Sequence, residues 1–173
     1  MPGRKEEREA RKHRDDLIGE HKVSDAGQLI LACLFFTIWI ADSFFLNYTT
    51  TLNDSVSMAV RLPVGIVLLA LSAYLARTGM SIVFSEKRQK PTVIKKSVFG
   101  FVRHPIYLSE ILLYPGLLMM SISLAAAVVW IIGIGFLNYI SRYEEKVLLA
   151  HFGEEYKQYM SEVPMWIPRL RKR

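Results

Sequence analysis

Gly100-Phe101-Val102-Arg103-His104-Pro105-Ile106-Tyr107 is the stretch where a basic, polar segment turns into a long apolar run. Pro105 suits the first turn of a helix, because the N–H it lacks is one the helix leaves unused. The N–H groups that follow have no partner inside the helix, and the macrodipole adds partial positive charge there. With Arg103 and His104 alongside, this is an anion site at the edge of a bilayer. It is expected to hold the anionic end of a cofactor.

Reading outward toward the C-terminus, residues 105–121 form an apolar span that Pro115-Gly116 is expected to bend. The uncharged Ser121-Ile122-Ser123 makes a tight turn, and a further span covers 125–141. Gly133 and Gly135 within it are expected to permit close helix packing. Interfacial helices follow over 142–162, interrupted at Gly153, with Tyr156 and Tyr159 as interface anchors.

Toward the N-terminus, residues 77–104 form the longest internal polar segment. A span over 58–76 has Arg61 near its outer end and Pro63 in its first turns, and an external loop covers 47–57. The first span, 27–46, follows the candidate caps Ser24 and Asp25. Residues 1–26 are a charged cytoplasmic segment ahead of the membrane domain, 27–173. The mixed charges of this segment and the absence of a small-residue cleavage site mark the first span as retained.

Half of the 173 residues are hydrophobic, and the formal net charge is +6. The basic clusters flank apolar runs of spanning length, which favours lipid over nucleic acid as the partner. Cys33 is the single cysteine, which excludes an intrachain disulfide framework and a cysteine-rich zinc site. No pair of His, Cys or carboxylates has metal-ligand spacing. Of 22 Lys and Arg, seven precede the first span, seven lie in 77–104 and seven follow residue 141. Only Arg61 falls on the other side. An all-α integral membrane fold satisfies that bias with four transmembrane helices and both termini cytoplasmic.

The turn at Ile122-Ser123 makes the last two spans an antiparallel hairpin. At ~1.5 Å per residue, each arm is roughly 27 Å long, so residue 104 stands about level with residue 142. Arg103, His104 and Tyr107 are therefore expected to meet Arg142, Glu144 and Glu145 at the cytoplasmic face. Glu110 lies one turn inside the membrane, where a carboxylate is costly and marks a functional position. Asp42 and Asn138 are expected to make interhelical hydrogen bonds, and His13, His21 and His151 to be solvated.

Two motifs, Arg103-His104-Pro105-x-Tyr107 and Glu144-Glu145-x-x-Leu148-x-x-x-Phe152-Gly153-x-x-Tyr156, carry a family resemblance. With Pro91-Thr92-Val93-Ile94, Val163-Pro164 and Ile167-Pro168, residues 77–173 resemble the isoprenylcysteine carboxyl methyltransferase and phospholipid methyltransferase superfamily. The resemblance implies a multi-pass membrane enzyme that binds S-adenosylmethionine and methylates a lipid or lipidated acceptor arriving from the bilayer. It implies cofactor contacts by Pro91, Thr92, Val93, Ile94, Phe99, His104, Pro105, Ile106, Tyr107, Glu144 and Glu145. Arg103, Glu110 and Arg142 are the candidate catalytic residues, and neither metal nor nucleic acid takes part. Where carboxyl methyltransferases place an acceptor-binding arginine, this chain has Ile140, with Arg142 two residues on. Ser97-Val98-Phe99 replaces the family's Gly-Pro/Val-Tyr. The acceptor thus stays open between a prenylcysteine-like carboxylate, a phospholipid amine and another hydrophobic molecule. Sterol reductases share a related C-terminal region but are much longer chains with more spans. A non-enzymatic helical membrane protein is the remaining alternative.

Overall fold

The computed structural model describes residues 22–85 and 92–167, and among these every regular element is helical. Helix α1 spans Lys22–Ala41 and runs on as a π-helical turn through Asp42–Leu46. A single turn, α2, covers Leu52–Ser55, and α3 spans Met58–Ser85. A 3-10 turn at Ser97–Gly100 leads into α4, Pro105–Leu118, then α5, Leu124–Phe152, and α6, Glu154–Glu162. The charged stretch 1–21, with His13 and His21, and the motif residues Pro91 and Pro168 lie outside the described residues.

Three stretches are long and apolar enough to cross a membrane: Asp25–Leu46, Met58–Val83 and Leu124–Phe152. Four were expected, and α4 is the difference. Its 14 residues rise only about 21 Å, short of the ~30 Å of hydrocarbon a bilayer presents. The reason lies at Pro115, which has no N–H to give the carbonyl four residues earlier. That carbonyl, on Ile111, instead accepts the Trp130 indole N–H of α5 at 3.0 Å. The helix then closes three residues past the proline, where Met120 N–H donates to Leu117 O at 2.9 Å.

The other boundaries differ because a helix ends at a breaker, not at the edge of hydrophobicity. α3 continues nine residues past the expected end at 76, through Arg77 to Ser85. α5 joins the expected 125–141 span and the first interfacial helix into one rod of 29 residues, which stops at Gly153. Gly153 adopts φ +55° and ψ −128°, a conformation that excludes side chains with a Cβ. α1 is already helical at Lys22, so Ser24 and Asp25 lie within it rather than capping it.

Helix α4 lies most extensively on α3 along a seam of small residues. Gly65, Ser72 and Gly79 recur every seven residues on α3, the spacing that keeps one face on a neighbour. A Cβ at Gly65 would stand 2.9 Å from Met119 Cβ and 3.0 Å from Gly116 O, and one at Gly79 would stand 2.9 Å from Ile106 Cγ1. Between them the Ser72 hydroxyl donates to Ser109 O at 2.7 Å. Gly133 and Gly135, the expected close-packing pair, have nothing within 4 Å of where a Cβ would be. Sequence alone does not reveal which face of a helix its glycines occupy.

At the end of the bundle away from Arg103, the α4–α5 turn is tied to the α1–α3 connection. Buried Asp42 accepts from Ser123 Oγ at 2.6 Å, from Thr49 N–H at 3.1 Å and from the Thr49 hydroxyl. Asn53 Oδ1 accepts from Ile122 N–H at 2.8 Å and from buried Arg61 at 2.6 Å. Arg61 also donates to Val56 O and Met120 O, at 2.9 and 3.3 Å. Without water in the bilayer, polar groups have to be satisfied this way. Asp42 thus makes the interhelical bonds expected of it.

Enlarging the α3–α4 seam therefore destabilises the protein while enlarging α5 at an open glycine does not. Gly65→Leu is expected to cost about 1–3 kcal/mol by overpacking, read as a lowered thermal midpoint in detergent. Gly135→Ala is expected to leave that midpoint unchanged or slightly higher.

Candidate functional site

His104 ends the extended segment before α4, with φ −121° and ψ 67°, and Pro105 takes the first helical position. Successive side chains around a helix point about 100° apart, so residues 104–107 divide between two neighbours. Pro105 and Ile106 lie against Gly79 of α3. His104 and Tyr107 turn the other way, toward α5, with their rings parallel and centroids 5.6 Å apart.

There they meet the carboxylate pair. His104 Nε2 lies 3.2 Å from Glu145 Oε1, and its Nδ1 lies 3.6 Å from Glu144 Oε2. The Tyr107 hydroxyl donates to Glu144 Oε1. The Arg103 Nε donates to Glu145 Oε1 at 2.7 Å, while its Nη1 donates to Met160 O and Val163 O at 2.8 and 2.7 Å. The side chains of Arg103, His104, Glu144 and Glu145 are between 7% and 14% exposed. Two motifs some forty residues apart in sequence therefore share one largely enclosed cluster, at the register the hairpin predicts.

The segment after α6 closes this cluster from outside. Arg103 N–H donates to Pro164 O at 2.9 Å and His104 N–H to Met165 O at 3.3 Å. The Tyr159 hydroxyl donates to Phe99 O at 2.7 Å. Tyr156 and Tyr159 are each only 3% exposed, so they are core residues rather than interface anchors. α6 folds back on the segment before α4 and buries both rings against Val93, Leu148 and Phe152. Burial pushes both tyrosine hydroxyls well above the ordinary tyrosine range.

The remaining sequence-derived candidates are spread around this cluster. Val93 packs beside Tyr156 and Tyr159, whereas Ile94 and Phe99 pack with Leu75 and Val98 of a second core. Thr92 is exposed. Arg142 is exposed and donates to Asn138 Oδ1 at 2.9 Å, about 200° round α5 from Glu144. Asn138 donates in turn to Met165 Sδ at 3.8 Å. Glu110, half-buried on α4, accepts from the Tyr114 hydroxyl at 2.9 Å. Tyr114 was not among the candidates, although its position four residues past Glu110 places the two on one helix face. Among the described residues no group of three or more His, Cys, Asp or Glu is placed to hold a metal ion.

A family model described as 3-oxo-5-alpha-steroid 4-dehydrogenase matches residues 23–169. No curated protein and no solved structure matches the chain.

Arg103 joins three elements, so its removal reaches beyond the loss of one contact. Arg103→Ala leaves Glu145 buried without its cation, a defect of about 3–5 kcal/mol. Thermal unfolding and limited proteolysis beyond Glu162 are expected to show lower stability and a released C-terminal segment. Arg103→Lys is expected to recover little, since an ammonium lacks the fork that serves a carboxylate and two carbonyls together. Stability is also expected to fall above about pH 10, where tyrosines ionise in the unfolded chain but not in the fold. Tyr159→Phe is expected to flatten that decline in denaturant titrations.

Proposed function

The chain belongs to the 3-oxo-5-alpha-steroid 4-dehydrogenase family, within the steroid reductase and isoprenylcysteine methyltransferase-like superfamily of membrane enzymes, and on that premise we propose that it is an S-adenosylmethionine-dependent methyltransferase. Its acceptor is a lipid-like molecule that enters from the bilayer, as for isoprenylcysteine carboxyl methyltransferases. A phospholipid amine or another hydrophobic molecule is the alternative acceptor.

The observation that carries this reading is the charge of the enclosed cluster. Glu144 and Glu145 stand against one guanidinium, Arg103, so carboxylates outnumber permanent cations in the cluster. S-adenosylmethionine is a net cation, with a sulfonium, an ammonium and one carboxylate. A reduced nicotinamide dinucleotide phosphate carries several negative charges, which buried carboxylates repel. The donor set fits the smaller cofactor in kind as well. Glu144, with Tyr107 on one oxygen, suits ribose hydroxyls or the amino group. The first N–H groups of α4 suit the methionine carboxylate.

S-adenosylmethionine, when bound, supplies a methyl group on a sulfonium leaving group. What remains for the protein is positioning, exclusion of water and recognition of the acceptor. His104 and Tyr107 present one side of the site from a helix start fixed by Pro105. Glu145 holds His104 in place and is itself held by Arg103. The Pro164–Met165 segment shields the cluster from water.

A second reading is favoured by the description of the family model itself. It is reduction of an unsaturated, carbonyl-bearing lipid by a nicotinamide cofactor. Calorimetry on the purified protein in lipid nanodiscs separates the two. S-adenosylhomocysteine is expected to bind in the micromolar range, and Glu144→Ala and His104→Ala are each expected to weaken it at least tenfold, about 1.4 kcal/mol. Binding of reduced nicotinamide dinucleotide phosphate without S-adenosylhomocysteine binding would replace methyl transfer by reduction. Binding of neither by folded protein would remove both.

A further inference from the structure

We propose that Glu110 and Tyr114 form a subsite that recognises the amine head of a membrane amphiphile and rejects a carboxylate. The inference rests on the methyl-transfer reading for its role, because among the acceptors that reading leaves open it selects the amine over the carboxylate, but its binding chemistry is argued from Glu110 and Tyr114 alone.

Glu110 is five residues past Pro105 on α4, about 7.5 Å along the helix axis. That depth lies between the carboxylate cluster and the bilayer interior. Among the described residues its hydrogen-bond partner is the Tyr114 hydroxyl, at 2.9 Å on Oε1, and it has no ion-pair partner. Tyr114 is 3% exposed, and its ring is fixed against Phe35 of α1, with centroids 4.4 Å apart. The phenol therefore holds one carboxylate oxygen in place. The side chain of Glu110 is half-buried, so a molecule at the membrane boundary reaches it. An intramembrane carboxylate without a counter-ion is costly, and a cationic or N–H-donating head relieves that cost.

Helix α5 carries a second buried polar group close to the carboxylate cluster. Ser141 lies one turn inboard of Glu145 on α5, as Glu110 lies one turn inboard of Tyr107 on α4. Ser141 is fully buried, and its hydroxyl has no partner among the described residues. An orphaned buried hydroxyl carries a desolvation cost of about 1–3 kcal/mol, and here it lies beside the level at which an acceptor head would enter.

The cations expected to hold an acceptor carboxylate are engaged elsewhere. Arg103 is bound to Glu145 and two backbone carbonyls, and Arg142 is exposed with its Nε on Asn138. Ile140 occupies the position at which carboxyl methyltransferases carry an acceptor-binding arginine. An incoming carboxylate would meet Glu110 and Glu144 with no free guanidinium between them. An amine meets acceptors.

The test uses the full chain in neutral maltoside detergent with three amphiphiles of equal chain length: dodecylamine, dodecanol and dodecanoate. Dodecylamine is expected to raise the unfolding midpoint in a concentration-dependent way, with dodecanol and dodecanoate without effect. Glu110→Gln is expected to weaken the apparent amine affinity about tenfold or more, while Glu162→Gln on the exposed surface of α6 leaves it intact. Tyr114→Phe, which keeps the charge and loosens its orientation, is expected to weaken it a few-fold and covers the case in which Glu110→Gln does not fold. Stabilisation by dodecanoate, or an amine effect unchanged in both Glu110→Gln and Tyr114→Phe, overturns the subsite. Calorimetry with S-adenosylhomocysteine tells the two readings apart. Its failure alongside a Glu110-dependent amine effect removes methyl transfer and leaves the subsite, and the reverse result removes the subsite alone.

Discussion

The Arg103 guanidinium is the interaction on which the functional end of this protein depends. It reaches from the start of α4 to a carboxylate of α5 and to two carbonyls beyond and within α6. These partners come from α5 and from α6 with the segment after it, which also share the apolar core around Tyr156 and Tyr159. A planar fork with donors at fixed angles serves such a junction, which a flexible ammonium cannot do. Once Glu145 is neutralised in this way, His104 can stand against it and Glu144 can be enclosed with Tyr107. The site is thus a by-product of how the C-terminal third is fastened.

The opposite end of the bundle is fastened by the same kind of chemistry with different residues. Asp42, Asn53 and Arg61 are polar groups turned inward, while Leu29, Ile66, Val67 and Ile131 are turned outward. In lipid that inversion is expected, since apolar side chains gain nothing by leaving hydrocarbon and close packing with internal hydrogen bonds holds helices together. The Gly65–Ser72–Gly79 seam supplies the packing. Asp42 and Arg61 supply the bonds. Between two polar ends, α4 is too short to span alone, and its proline is accommodated because an indole on α5 satisfies the carbonyl it frees.

The chemistry of the enclosed cluster follows from charge more than from shape. Two carboxylates stand beside one arginine whose donors are already committed. A third carboxylate, Glu110, lies one turn further along α4 and accepts from Tyr114. The family to which the chain belongs takes its description from steroid reduction, and what a given member does is decided by the side chains of its site rather than by the fold.

The sequence by itself determined the class of protein. Apolar runs of spanning length bounded by basic clusters require helices in a membrane, because only there are both the side chains and the backbone satisfied. It also determined that His104 and Tyr107 stand level with Glu144 and Glu145, since a tight turn between two helices of fixed rise leaves no other register. What only the tertiary structure decided were the facts that depend on direction around a helix or on where polar groups find partners. Hydropathy marks where water begins, yet α3 and α5 run past that point because backbone hydrogen bonds are indifferent to it. Glycine composition pointed to Gly133 and Gly135, whereas the close approach is at Gly65, Gly79 and Gly116, on the faces that happen to meet. Tyr156 and Tyr159 read as interfacial aromatics until α6 folds back and buries them. Arg142 shows the same limit: two residues from Glu144 in sequence, it stands about 200° round α5 from it and donates to Asn138.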